Sequence, residues 1–172
     1  MSSDPQAGAA PCRYPAVAPE TVAAVRFLLD QIVTGVPGVT GALVSTVDGF
    51  AVADRLVMPP PSAGAAATDA AGLAAMTAAT LGLANRMVAA LGRDPAAELT
   101  ASSPSGHIVV SRVGTLAALT VVCGPASNLD DVEVVAREVA AGLGRLLFET
   151  RPCATGWAAP DPSLAPSVHV TV

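Results

Sequence analysis

Apolar residues recur along this chain at two spacings, and each change of spacing marks a new element. Val22, Val25, Leu28, Leu29, Ile32 and Val33 follow the helical period, behind Pro19 and Glu20, which suit a first helical turn. Gly35 and Pro37 stop that helix. The pattern then becomes an apolar run from Val39 to Val47, an Asp48-Gly49 step, and a second run from Phe50 to Ala53. Asp-Gly between strand-like runs predicts a hairpin with a type I′ turn, which needs positive φ at both Asp48 and Gly49. The first strand, about 39–47, is apolar on both faces, as a central strand should be.

Helical spacing returns from Thr68 or Asp69 to Leu91 and ends at Gly92. Leu73, Met76, Leu83, Met87 and Leu91 mark an apolar stripe, but the rest is Ala, Thr and Gly, and Arg86 is the only charge after Asp69. A helix without a polar face is normally covered on more than one side. One side can pack on a sheet; the other needs a partner, and Ala and Gly allow close helix–helix approach. The plainer reading is an Ala-rich surface helix, since Ala has the best helix propensity.

Three short strands follow, about 97–103, 107–113 and 115–123, with Ser105-Gly106 and Gly114 as turns. The last helix starts at Asn128 as N-cap, with Asp130, Asp131 and Glu133 in the first turn. Val132, Val135, Ala136, Val139, Leu143, Leu146 and Leu147 give it a clean stripe, and Pro152 ends it. The order α-β-β-α-β-β-β-α predicts an α+β domain, a five-stranded antiparallel sheet flanked by helices, over 19–150. Residues 1–18 read as a disordered arm, 58–67 with Pro59-Pro60-Pro61 as a loop, and 151–172 as a Pro-rich tail. Within that tail, Val168-His169-Val170-Thr171-Val172 could add an edge strand.

Hydrophobic residues make up 52% of the 172, and a membrane reading has to be tested. The uncharged stretches 70–85 and 113–129 fall short of the roughly 20 apolar residues a span needs or are broken by Gly114, Gly124 and Pro125. The N-terminus has no basic start before an apolar core, so a cytoplasmic protein without a signal peptide or membrane span is expected. Net charge is −5, and all nine basic residues are Arg. Without a basic cluster, nucleic acid and anionic lipid are poor partners. Cys12, Cys123 and Cys153 contain no C-x-x-C pair; Cys123 ends an apolar run and reads as a packed core thiol. His107 and His169 are far apart, and no metal-ligand spacing joins them to a cysteine.

Candidate chemistry is thin. Gly35-x-x-Gly38-x-x-Gly41 closes a helix and opens a strand, the reverse of a phosphate-cradling loop. Ser103 or Ser105 with His107 resembles a nucleophile pair but has no orienting carboxylate and no G-x-S-x-G elbow. Asp130 and Asp131 are adjacent and point to different sides of a helix. No catalytic, cofactor or metal site is expected, and Asp48 and Gly49 are assigned to the turn alone.

Leu28-Leu29, Val36-Pro37-Gly38-Val39, Ala42-Leu43-Val44, Asp48-Gly49-Phe50-Ala51-Val52-Ala53, the Ala-rich helix, the meander and Asn128-Leu129 occur in an order that resembles the Roadblock/LC7 family. The likeness covers about 19–150. Within the family the chain is most similar to bacterial regulators of Ras-like small GTPases, some encoded beside a small GTPase and a sensor-kinase-like protein. The resemblance implies a homodimer formed by pairing second helices and joining third strands into one continuous sheet. It implies a non-enzymatic, GTPase-activating or scaffolding role, without an arginine finger of its own. It carries the dimer and partner surface onto Leu73, Met76, Ala79, Thr80, Leu83 and Met87 in the helix, and Leu99 and Ala101 in the strand. The long 58–67 loop, the tails, and Leu129-Asp130 where many relatives have glycine depart from the family pattern. The alternative is a small-ligand-sensing domain of a signalling complex, which needs a pocket of roughly 300 Å³ with convergent polar groups.

Overall fold

The structure, a computed structural model, describes residues 17–57 and 69–149. The expected arm before residue 17, the triple-proline loop, the Pro-rich tail with its edge strand, Cys12 and Cys153 lie outside the described residues. The elements are α1 (Pro19–Gly35), β1 (Val39–Thr46), β2 (Ala51–Leu56), α2 (Ala70–Ala90), β3 (Glu98–Ser103), β4 (Gly106–Val113), β5 (Ala117–Cys123) and α3 (Leu129–Gly144). A π-helical turn, Arg145–Glu149, continues α3.

The five strands form one sheet in the order β2-β1-β5-β4-β3, antiparallel throughout. β1 and β5 are buried on both faces, which explains their unbroken apolar runs. Alternation divides β5 between two cores: Ala117, Leu119, Val121 and Cys123 join the main one, while Ala118 belongs to a smaller one on the other face. The main core is closed by α1, through Val25, Leu29 and Ile32, and by α3, through Val132, Ala136, Ala140 and Leu143. On the opposite face α2 stands alone, with Leu81 against Val110 and Ala118.

Two local expectations are corrected. The β1–β2 turn is not type I′. Its loop has three residues, 47–49: Gly49 N–H donates to Thr46 O at 3.0 Å, and Thr46 N–H donates to Phe50 O at 2.8 Å. Only Gly49 takes positive φ, at 89°. One extra residue in the loop removes the need for Asp48 to leave its ordinary backbone region. Gly49 also lets the turn lie against α2, because a Cβ there would meet Ala75 Cα at 3.1 Å. At α3, Asn128 holds the N-cap position, but its side chain caps nothing. Its Nδ2 donates instead to Asp131 Oδ2 at 2.8 Å, a charge-assisted bond that fixes the amide's orientation.

A third correction concerns α2. The uncharged stretch ends at Asn85, but the helix runs on through Arg86 to Ala90. By length and composition alone this helix could cross a membrane, which the count of uncharged residues did not show.

Candidate interaction surface

Asp69 starts α2 by accepting from Gly72 N–H at 2.8 Å, and Gly92 closes it at φ 65°. In between, the helix meets the sheet with Ala74, Thr77, Leu81 and Ala84. Thr77 and Thr120 share a buried hydroxyl hydrogen bond at 2.9 Å. Asn85 Oδ1 accepts from Ala96 N–H at 3.1 Å, turning the chain back toward β3.

The larger apolar residues of α2 face away from the sheet. Met76, Leu83, Met87 and Leu91 are 50%, 60%, 63% and 73% exposed. Ala79 and Thr80 are exposed among them, and the Thr80 hydroxyl is satisfied by Met76 O at 2.8 Å. Leu73 is half-buried. Arg86 is the only charge on the helix and is exposed.

β3 is a sheet edge and pairs with β4 alone. Glu98 and Thr100 turn toward α3: Arg137 Nη2 donates to Glu98 Oε2 at 3.0 Å and Thr100 Oγ1 to Glu133 Oε1 at 2.8 Å. Alternation therefore places Leu99 and Ala101 on the α2 face. Leu99 packs at the margin of the Leu81 cluster, and Ala101 is exposed. The eight residues assigned to the interaction surface thus lie on one side of the sheet. The sequence stripe did not distinguish its buried members from its outward ones. The missing signal was the second stripe of small residues, Ala74, Thr77, Leu81 and Ala84, which does the inward packing.

The hydrolase candidates do not come together. His107 Nδ1 bonds Ser102 Oγ at 3.0 Å, whereas Ser103 and Ser105 bond each other at 3.0 Å in the turn. Two surface clefts reach the size of a small-ligand site. One, of about 520 Å³, lies beside Glu98, Arg137 and Phe148. The other, of about 540 Å³, lies between 36–40 and 124–131. Their carboxylates are already engaged: Glu98 by Arg137 and by Ser111 Oγ at 3.1 Å, Asp131 by Asn128. Arg112 and Arg145 also line the first cleft, and Ser127 the second.

The profile of the Roadblock/LC7 domain matches residues 28–123, from α1 through the end of β5. The chain belongs to the Roadblock/LC7 family. This Roadblock/LC7 domain also resembles solved structures. MglB in a tetrameric arrangement shares 17% identity at TM-score 0.68, with 78% of this chain and 95% of that chain covered. The gliding protein MglB from Thermus thermophilus gives 17% identity and TM-score 0.68, covering 78% and 96%. A Roadblock/LC7 domain from Streptomyces avermitilis gives 18% identity and TM-score 0.60, covering 69% and 92%. At these identities the likeness is one of fold. Curated protein sequences yield no match.

Proposed function

We propose that this Roadblock/LC7 domain is a non-enzymatic, cytoplasmic homodimeric scaffold that binds a Ras-like small GTPase and modulates its GTP hydrolysis. The observation that carries this reading is the outward stripe of α2, Met76, Leu83 and Met87, exposed on the same side of the sheet as Leu99 and Ala101 and interrupted by no charge but Arg86. Monomeric proteins seldom leave so continuous an apolar strip uncovered. A second copy, its α2 against this one and its β3 extending the sheet, covers both the stripe and the open edge. Self-association also accords with the tetrameric arrangement described for the similar MglB structure. Leu73, Met76, Ala79, Thr80, Leu83, Met87, Leu99 and Ala101 form the dimer and partner surface. A sensor-kinase-like protein is a further partner of the same complex.

Affinity capture from the native lysate, with GDP or a non-hydrolysable GTP analogue, tests the GTPase. Enrichment of a small GTPase with the analogue supports the proposal, and its absence under both conditions counts against it. Light scattering tests the dimer. Ala79→Arg places a charge in the apolar contact and should give a monomer. A variant that stays dimeric removes α2 from the interface.

A further inference from the structure

Helix α2 differs from its two companions in which side it shows to its own domain. α1 and α3 direct their large aliphatics into the main core, backed by half-buried Val22, Leu28, Val135 and Val139 among others. α2 meets the sheet through Ala74, Thr77, Leu81 and Ala84, of which Leu81 alone is large. Beneath it lie Leu43, buried and opposite Thr120, the Thr77–Thr120 hydroxyl pair, and Ser45, which sits opposite Ala118. The Ser45 Oγ is buried without a hydrogen-bond partner among the described residues. At the β1–β2 turn, Gly49 lies against Ala75 and Ala78 of α2.

Burial stabilises in proportion to the apolar area withdrawn from water, and an unpaired buried hydroxyl opposes it. The inward side chains of α2 contribute little such area of their own beyond Leu81, while Met76, Leu83, Met87 and Leu91 gain nothing until something covers them. We propose that α2 is conditionally docked: in a lone protomer it opens from the sheet far more readily than α1 or α3, and a second copy over its outward face locks it. This inference rests on the homodimer proposed above. Dimerisation and ordering of the surface offered to a GTPase then form one linked equilibrium. A partner that binds docked α2 without displacing the second copy strengthens the dimer, and the dimer strengthens that binding by the same factor.

Hydrogen exchange followed by mass spectrometry on the full chain tests this, comparing wild type with Leu83→Glu, whose monomeric state is checked by light scattering. In the monomer, amides across 74–90 should exchange about 100-fold faster than in the dimer, while those of β1, β5 and α3 change by less than about threefold. Exchange of α2 in the monomer as slow as that of α3 overturns the proposal. The double change Thr77→Val with Thr120→Val replaces the hydroxyl pair by apolar groups of the same shape. Added to Leu83→Glu, it should slow α2 exchange, and an unchanged rate overturns weak packing as the cause. If wild type is itself monomeric, the homodimer reading fails on that measurement alone. Conditional docking then survives only if α2 exchanges fast at every protein concentration.

Discussion

Cys123 closes β5 with its thiol buried, donating to His107 O at 3.4 Å. Burial pushes the thiol up from its ordinary value of 9.0, partly offset by contacts to Ser127 and the His107 backbone. The unfolded chain therefore releases this proton first as pH climbs. The stability that the protonated thiol provides is complete below about pH 9 and is lost as pH rises through the folded value. Urea midpoints should hold steady up to about pH 8.5 and then decline, and Cys123→Ala should flatten that decline. That Cys123 packs in the core was legible from its place at the end of an apolar run. The backbone of Asp48 and the amide of Asn128 were not. Each depends on a detail no spacing encodes: one more residue in a loop, and a carboxylate three positions on.

β3 is tied to α3 by side chains of unequal exposure. Arg137 is 63% exposed and Glu98 22%, and Glu98 also accepts from buried Ser111. An exposed ion pair contributes little, whereas stranding a buried hydroxyl costs more. Glu98→Ala should destabilise by about 1–2 kcal/mol, and Arg137→Ala by less than about 0.5 kcal/mol, both read from urea denaturation. At this scale the sequence was informative. Both ends of α2 fall within a residue or so of the expected ones because Asp69 and Gly92 act as cap and stop. The strands follow from alternation and from turn glycines such as Gly114, which adopts φ 57°. Cross-element ties such as Asp30 to Arg55, 2.7 Å apart between α1 and β2, left no trace in the pattern, because nothing local pairs them.

For the whole molecule, element order and sheet type were legible, since short connections leave antiparallel neighbours few alternatives. Which side of the sheet stays open was not. The stripe of Met76, Leu83 and Met87 and the inward set led by Leu81 are both apolar, and only packing separates them. If the open side is covered by a second copy, folding stability depends on how many copies are present. The thermal midpoint should rise with protein concentration in wild type and be independent of it in Ala79→Arg. A concentration-independent wild type would contradict the homodimer.

The outward leucine and methionines of α2 also bear on anyone reshaping this protein. A search for better solubility, scored on dilute samples, would single out Leu83 and Met87 as oily surface positions and exchange them for lysine or glutamate. The product would express well, stay clear at high concentration and pass every purity check. On the proposal above, it would also have lost the surface that a second copy covers.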